Sequence, residues 1–479
     1  MYQYLLPPVK IKRLELLHHL VSGKNLNVKS LARDLDLTPS GVRRLVDVLN
    51  QEAYVLFSEP NFFIFDDIGF IKINDVDTKL DKHKCFQTIK LTYLQQSPIF
   101  RLLHEFGINP VHKVINLEDR LAYSTSYIYR LIHRTNKFLT QFGFEIQEVD
   151  ARKYAITGDL LCVRFFYYVL FADSYQTLNW PFEDVTKGAN LETMEMGSEY
   201  KTASSQLILM TYWSTLHKSH RARKFLSYSV TSDINQVLSM FERDRGFYDQ
   251  NVEDGYLFHF FKHLVVSTSF DFDRKVALGK SFAESDNFIC QTAQKLTQQL
   301  IGDADENAAY YANYVFVLII LLSKLSGGKM LKILEIGFPF PEFYQVQEND
   351  LTTHVEMVVN TTLHKMNDVS LIPATEVLIN AGLTIMLMNT NPQLNVFLQL
   401  SRTFTAHRLV ENELKKFVNP NTVRIVSSIE EADFVITDTF EHQHNQRPIF
   451  FFQHFHSVDE WKKLISAINE ELLFRAFNG

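Results

Sequence analysis

The stretch from Leu31 to Leu49, LARDLDLTPSGVRRLVDVL, constrains the fold of this chain more than any other. Its apolar residues are spaced as on amphipathic helices, but the sequence Leu-Thr-Pro-Ser interrupts them. Thr38 or Ser40 can cap a new helix at that point, and Pro39 suits its first turn. The pattern predicts a helix-turn-helix whose second helix presents polar residues outward. Those outward residues are Ser40, Arg43, Arg44 and Asp47.

A second stretch with the same pattern runs from Leu117 to Leu139. Its apolar positions lie 86 residues after those of the first, so that Leu31 corresponds to Leu117 and Thr38 to Ser124. Its second helix leaves Ser126, Tyr127, Tyr129, Arg130, His133, Arg134 and Lys137 outside the apolar stripe. Two such units predict binding to double-stranded DNA, whereas a solvated helix face is the alternative for each basic residue taken alone.

The residues that follow each unit predict a wing. After the first unit, residues 53–73 mix β-branched and aromatic residues with Gly, Asn and Pro turn signals, which favours a hairpin. After the second, residues 142–147 and 153–158 read as two strands around a turn, with Arg152 and Lys153 near its tip. These two residues could meet a phosphate backbone, or the segment could be a plain surface turn. Amphipathic helices over 9–22 and 80–104 are expected to support the two units.

Charge and cysteine content narrow the class of protein. The net charge of −7 means that any nucleic-acid site must be a local basic face on an acidic body. Cys85, Cys162 and Cys290 lie far apart, which argues against disulfides or a zinc ribbon and favours the cytoplasm. We expect no secretion. We also expect no membrane span, because the longest apolar run, at 313–324, is shorter than the roughly 20 residues that a span requires.

The rest of the chain predicts a mainly α, multidomain protein. Long amphipathic helices fill residues 160–385, and a polar break near DFDRKVALGKS suggests two helical bundles. The last segment alternates predicted strands, LTIMLMN, TVRIVSS, DFVITD and PIFFFQ, with helices over 393–417 and 458–474, which is typical of a small parallel α/β domain. The predicted domains are 1–75, 76–158, 159–275, 276–382 and 383–479.

This order of domains resembles the Mga/AtxA family of Gram-positive virulence regulators, most specifically in LARDLDLTPSGVRRLVDVLN and LAYSTSYIYRLIHRTNKFL. The resemblance implies a transcriptional activator with two winged helix-turn-helix domains, two PRD-like (phosphotransferase-regulated) bundles and a C-terminal EIIB-like α/β domain. It also implies a homodimer or higher oligomer that binds promoter DNA. Histidine phosphorylation by the phosphocarrier protein of the sugar phosphotransferase system would tune it. Neither enzymatic activity nor a cofactor is expected.

The family's phosphorylation sites carry over unevenly. His217 and His220, three apart on one predicted helix face, resemble the paired regulatory histidines, with an inert helix end as the alternative. In the second bundle Tyr314 stands nearest the place of the family's histidine, which leaves His364 as the candidate. An EIIB domain accepts phosphate on a cysteine after its first strand. The expected loop here, MLMNTNPQLN, has no cysteine, and its asparagines Asn389, Asn391 and Asn395 cannot replace a thiolate nucleophile. We therefore predict an EIIB-like fold that does not accept phosphate.

Other kinds of site are weaker. His442, His444, His454 and His456 form a dense group, but no cysteine or spaced carboxylate completes a metal site, so no metal is predicted. The sequence also has no phosphate-binding loop, dinucleotide fingerprint, nucleophile elbow or HExxH motif. Two other functions stay open: a catalytic phosphotransferase component, which the missing cysteine disfavours, and an RNA-binding antiterminator. Antiterminators of this type begin with a β-rich module, whereas this chain begins with helices.

Overall fold

We describe the chain from a computed structural model, which forms two compact units. One comprises residues 1–274 and 320–340, and the other residues 275–319 and 341–479. We describe each unit by itself. The residues described are 2–21, 26–59, 61–65, 69–74, 82–175, 225–227, 230–241, 256–257, 260–261, 263–264, 272–302, 306–337, 350–389, 393–400, 406–419, 421–438, 447–452 and 457–478.

The first unit begins with a small winged helix-turn-helix. Its elements are α1 (Tyr2–Leu5), α2 (Pro8–Val21), β1 (Leu26–Asn27), α3 (Val28–Asp34), α4 (Pro39–Phe57), β2 (Phe63–Phe65) and β3 (Phe70–Ile73). The three strands form an antiparallel sheet in the order β1-β3-β2. We call residues 26–73 the first winged motif. The predicted helix over 9–22 is confirmed, but the wing begins later than predicted, because residues 53–57 extend α4 with Ala53 in the core.

A second winged motif, residues 111–159, repeats this arrangement. It follows two helices, α5 (Lys82–Gln95) and α6 (Pro98–Ile108). It consists of β4 (Val111–Lys113), α7 (Val114–Leu121), α8 (Thr125–Leu139), β5 (Phe144–Asp150) and β6 (Lys153–Asp159). Its sheet order, β4-β6-β5, matches that of the first motif, and a short strand β7 (Leu226–Ser227) pairs with β6. The predicted helical periodicity over 80–104 is confirmed, and it divides into two helices because Ser97 caps a new helix and Pro98 begins it.

Helical elements complete the first unit. They include α9 (Leu160–Tyr175) and α10 (Ser232–Leu238). The helix α9 is buried on nearly all sides, which explains why its sequence, LLCVRFFYYVLFADSY, has no polar face. At Gly107 of α6 the backbone approaches α9 closely, since an added Cβ atom would lie 2.9 Å from Cε1 of Tyr167.

The chain from residue 272 to 389 contains further helices, most of which belong to the second unit. The described helices from residue 272 to 389 are α11 (Phe272–Ala283), α12 (Phe288–Ile301), α13 (Glu306–Ser326), α14 (Lys329–Gly337), α15 (Asp350–Met366) and α16 (Thr375–Asn389). The unit boundaries fall within α11 and α13, and α14 belongs to the first unit. The predicted polar break at DFDRKVALGKS is wrong in one respect, because most of that sequence is helical and forms α11.

A four-stranded parallel sheet forms the last part of the chain, as the sequence predicts. Its elements are β8 (Leu394–Gln399), α17 (Ala406–Phe417), β9 (Val423–Val426), β10 (Phe434–Thr437), β11 (Ile449–Phe451) and α18 (Val458–Asn478), with strand order β11-β10-β8-β9. The predicted position of the first strand is wrong, however. LTIMLMN lies in helix α16, and the predicted helix over 393–417 contains strand β8.

Within the part of the chain that the structure describes, two helical stretches are long and apolar enough to cross a membrane, by length and composition alone. They are Glu306–Ser326 and Val369–Met386. In the first, 61% of the apolar window is buried within the protein, as expected for the core helix that the sequence predicts around residues 313–324. Either stretch is weak evidence for a membrane span, since core helices pass the same criterion.

Candidate nucleic-acid interface

The first helix-turn-helix forms as its sequence predicts. Helix α3 ends before Asp36, which adopts a left-handed conformation with φ of 50°. Thr38, rather than Ser40, caps α4: its Oγ1 accepts a hydrogen bond from the Gly41 backbone N–H at 3.1 Å. Pro39 then occupies the first helical position. The predicted outward residues Ser40, Arg43, Arg44 and Asp47 are all exposed.

The second helix-turn-helix has the same turn. Ala122 ends α7 in the left-handed conformation with φ of 56°, and Ser124 Oγ accepts a hydrogen bond from the Tyr127 backbone N–H at 3.4 Å. The buried face of α8 includes Ile128 and Leu131. Of the predicted outward residues, Tyr127 is half-buried, whereas Ser126, Tyr129, Arg130, His133, Arg134 and Lys137 are exposed. Both turns and both exposed helix faces are therefore present.

We call α4 and α8 the first and second recognition helices. An asparagine on each recognition helix fixes that helix to its wing. Asn50 Nδ2 donates to the Phe63 carbonyl at 2.9 Å, while Asn50 Oδ1 accepts from the Phe63 N–H at 2.7 Å. Asn136 makes the same two bonds with Ile146, each at 2.9 Å. The two asparagines are also 86 residues apart, like the caps. Sequence reasoning missed them, although extending the 86-residue correspondence to the end of each helix would have aligned them.

The recognition helices also touch their wings at corresponding positions. Arg43 Cζ lies 5.2 Å from the centroid of the Phe65 ring on β2. Tyr129, which is 86 residues after Arg43, lies against Tyr154 of β6 with ring centroids 6.0 Å apart. In each motif the wing therefore limits where an outward side chain of the recognition helix can move.

The second recognition helix carries more positive charge than the first. Three positions that hold Asp47, Val48 and Gln51 in α4 hold His133, Arg134 and Lys137 in α8. Arg44 and Arg130 occupy equivalent exposed positions, while Arg43 of α4 is replaced by Tyr129 in α8. The electrostatic attraction to a polyanion is therefore stronger at α8.

The second wing has a mixed charge at its tip. Arg152 lies there, exposed, with φ of 56°, and its backbone N–H donates to Glu148 Oε1 at 2.8 Å. Lys153 is half-buried in β6 and opposite Lys113 of β4. Arg152 is thus placed where the sequence predicts it, but Glu148 and Asp150 reduce the positive potential of this turn.

Few of the predicted phosphorylation sites fall within the described residues. His217 and His220 lie outside them, as does His259. His364 is exposed in the last turn of α15, while Tyr314 and His263 are buried. The His263 ring lies against the Phe241 ring, with ring centroids 5.3 Å apart.

The acceptor loop predicted for the EIIB-like domain is placed wrongly. Asn389 ends helix α16 and Asn395 lies within β8, while Asn391 is outside the described residues. The chain after the first strand is instead LSRTFT, 400–405, which also has no cysteine. All three cysteines are buried as free thiols, and burial raises the pKa of Cys290 to about 11 and of Cys85 to about 12.

Metal binding finds no support in the part of the chain that the structure describes. That part contains no group of three or more His, Cys, Asp or Glu side chains placed to hold an ion. The four histidines near the C-terminus, His442, His444, His454 and His456, lie outside it.

Comparison with known proteins bears on the second winged motif. Residues 83–171, from α5 into α9, match the Mga helix-turn-helix domain. Over 206 residues the chain is 25% identical to a putative trans-acting regulator of Streptococcus pneumoniae serotype 4, which covers 42% of this chain and 38% of that protein. Over 208 residues it is 26% identical to the capsule synthesis positive regulator AcpB of Bacillus anthracis, which covers 38% of this chain and 42% of AcpB.

These matches confirm the resemblance to the Mga/AtxA family. The chain spans about two fifths of the length of the curated relatives that it matches. The Mga-type match includes every predicted contact residue of the second recognition helix and of the second wing. The first winged motif lies outside that match, and it is related to the second by the 86-residue correspondence of its sequence and by its geometry.

Proposed function

We propose that this chain is a transcriptional regulator that binds double-stranded DNA through its two winged motifs. One observation carries the proposal. The same capped turn, left-handed residue and asparagine bridge occur twice, 86 residues apart, and each supports a helix with exposed arginines. The match of residues 83–171 to the Mga helix-turn-helix domain supports it, as do the names of the two relatives.

In this proposal α4 and α8 enter the major groove, because helices of this kind present their exposed face to base edges. Ser40, Arg43 and Arg44 would act on α4, and Ser126, Tyr127, Tyr129, Arg130, His133, Arg134 and Lys137 on α8. Arg152 and Lys153 of the second wing would contact phosphates. AcpB is named a positive regulator, and by that likeness we propose activation of promoters, as in virulence regulators.

Binding of the full chain to promoter fragments, followed by fluorescence anisotropy over about 50 to 200 mM salt, tests the proposal. We expect the double variant R130Q/R134Q to lower the slope of log affinity against log salt by about 2, because the face of α8 that meets the DNA loses two positive charges. The variant R43Q/R44Q should weaken binding as well. Arg424, exposed on β9 of the other unit, offers the matched control R424Q, which should bind like the unaltered chain.

Two results would contradict DNA binding. Unchanged affinity in both double variants would exclude the recognition helices as the site. Preference for an RNA hairpin over a duplex of equal length would instead favour an antiterminator.

We further propose that the protein is a cytoplasmic homodimer, without enzymatic activity or cofactor, that is regulated through histidine phosphorylation. His217, His220 and His364 are the candidate acceptors, and His364 is exposed on the end of α15. A phosphoryl group adds up to about two negative charges and can change the contacts of such a helix. Incubation with the phosphocarrier protein, followed by mass spectrometry without acid, should detect the modification. Light scattering tests the dimer.

A further inference from the structure

A row of two arginines and two tyrosines lies at the start of the second recognition helix. Arg101 extends from α6, and its Nη1 donates a hydrogen bond to the Tyr123 hydroxyl at 3.0 Å, while its Cζ lies 5.1 Å from the ring centroid. The Tyr123 and Tyr127 ring centroids are 4.9 Å apart. Arg130 Cζ lies 5.8 Å from the Tyr127 centroid. We call these four residues the Arg–Tyr row.

Glu105 does not neutralise the charge of Arg101. Glu105 is four residues after Arg101 on α6, a spacing at which acid and base side chains often pair. Its carboxylate instead accepts a bond from Arg120 Nη1 at 2.9 Å. Within the described residues, the Tyr123 hydroxyl is the acceptor for Arg101, and a guanidinium has five N–H groups to donate. Arg101 therefore keeps its charge free of Glu105, while the carboxylate nearest the start of α8, Glu118, accepts a hydrogen bond from the Thr125 hydroxyl.

In the first winged motif a cation from the preceding helix contacts the turn differently, although the residue that corresponds to Arg101 is Glu15. Lys12 of α2 donates to the carbonyls of Leu35 and Asp36, at 2.9 and 3.2 Å, and so stabilises the end of α3. In the position of Tyr123 the first motif has Leu37, which cannot hold a guanidinium. The contact of Arg101 is thus made with a half-exposed side chain instead of the turn backbone, which suggests a role other than stabilising the turn.

The chemistry of the Arg101–Tyr123 pair suits a phosphate diester. A planar guanidinium can donate two parallel hydrogen bonds to phosphate oxygens, and stacking on the tyrosine ring holds it in place. The Tyr123 hydroxyl accepts from Arg101, so its own proton remains for an anionic oxygen. The pair lies in the turn before α8, and the partial positive charge of a helix N-terminus also attracts phosphate.

We propose that Arg101 and Tyr123 together bind one phosphate of the DNA backbone beside the start of the second recognition helix. This inference rests on the proposed function and extends the interface to α6, outside the helix-turn-helix. Arg101 supplies the charge and positions the tyrosine hydroxyl. The Tyr127 ring packs against the Tyr123 ring, and Arg130 lies over the Tyr127 ring.

Anisotropy titrations of the full chain with a mixed-sequence DNA duplex, over about 50 to 200 mM salt, test this assignment. In R101Q the slope of log affinity against log salt should fall by about 1, because one phosphate contact loses its charge. R101K keeps the charge and should keep the slope. Y123F should keep the slope and weaken binding about fivefold at every salt concentration, since one hydrogen bond is lost. R424Q is the control for loss of a distant positive charge.

A slope in R101Q equal to that of R424Q would overturn the proposal, and so would wild-type affinity in Y123F. Thermal unfolding of each variant is measured alongside. If R101Q proves less stable than the unaltered chain, the affinity of Y123F for the duplex decides whether the proposal holds, because that substitution removes only a hydroxyl group. The proposed function fails separately: a wild-type chain that does not bind the duplex at low salt contradicts DNA binding as a whole. An unchanged R101Q slope in a chain that binds contradicts only the phosphate contact.

Discussion

Single side chains set the geometry of the recognition helices at the residue scale. Asn50 and Asn136 each satisfy both the N–H and the carbonyl of one residue on the first wing strand. The amide group takes the place that a neighbouring strand would otherwise fill. Each recognition helix is therefore fixed to its wing by a pair of uncharged hydrogen bonds.

Asn136→Ala should lower the free energy of unfolding by about 2 kcal/mol, because two backbone groups of the buried Ile146 lose their partners. Urea denaturation of the full chain measures the change. Asn116, exposed on α7, provides the control Asn116→Ala, for which we expect almost no effect. Equal stability of the two variants would show that the bridge contributes little.

Two histidines next to the second winged motif make stability depend on pH. Burial lowers the pKa of His104 and of His112 below the ordinary value of 6.5, partly offset by Glu105 in both cases. Below that value the unfolded chain binds more protons than the folded one, so stability falls as the pH falls. Above it the two imidazoles make no pH-dependent contribution.

We therefore expect the melting temperature to drop between about pH 7.5 and pH 5.5, and the drop to be smaller in His112→Gln. His112 lies 3% exposed with Nε2 3.0 Å from the Glu105 carbonyl, a contact that glutamine can replace. His133→Gln removes an imidazole that folding leaves exposed and serves as the control. The same drop in His112→Gln as in the unaltered chain would contradict this origin.

Secondary-structure elements show where sequence reasoning succeeds and where it fails. The caps Thr38 and Ser124 were predictable because capping is a local interaction between a side chain and its own next turn. The helical conformation of LTIMLMN was not predictable, since a short apolar run fits a buried strand and a buried helix equally well. The asparagine bridges needed knowledge of the wing register, which no local pattern contains.

Close helix packing in the second unit depends on one glycine. At Gly279 helix α11 contacts α13 so closely that an added Cβ atom would lie 2.7 Å from the Tyr310 carbonyl carbon. Asn313 Nδ2 donates to the Gly279 carbonyl at 3.0 Å across the same contact. Two helix backbones are thus in direct contact at this position.

Gly279→Ala should destabilise the fold by about 1 to 3 kcal/mol, because the methyl group must push the helices apart. Thermal unfolding of the full chain measures this. Ser281→Ala, at an exposed position of the same helix, controls for the higher helix propensity of alanine and should not destabilise. A Gly279→Ala variant as stable as Ser281→Ala would mean that α11 and α13 can separate freely.

At the scale of the whole first unit, a buried ionic cluster joins three helices that are distant in sequence. Lys90 of α5 lies 3.2 Å from Asp173 Oδ1 of α9, and the Tyr2 hydroxyl of α1 also donates to Asp173. The Lys90 side chain is only 3% exposed. Burial lowers the pKa of this ammonium, while the carboxylate opposes the shift.

Asp173→Asn should lower the free energy of unfolding by about 3 kcal/mol, because it leaves the Lys90 ammonium buried without a counter-charge. The double variant K90M/D173N should recover part of this loss, since no unpaired charge remains. Denaturant unfolding of both variants provides the comparison. A double variant less stable than Asp173→Asn would argue against charge burial as the cause.

Helix α2 connects the first winged motif with α5, the first of the two helices that precede the second winged motif. Arg13 pairs with Glu52 of the first recognition helix at 2.9 Å, and Lys10 Nζ lies 4.7 Å from the Tyr93 ring of α5. Tyr93 also donates to Glu52. Packed side chains therefore join the first winged motif to the helix pair that leads into the second. The proposed binding of both winged motifs to one promoter should therefore depend on helical phase. Inserting about five base pairs between the two contacted segments turns one of them to the far side of the duplex, so that both motifs should no longer bind at the same time.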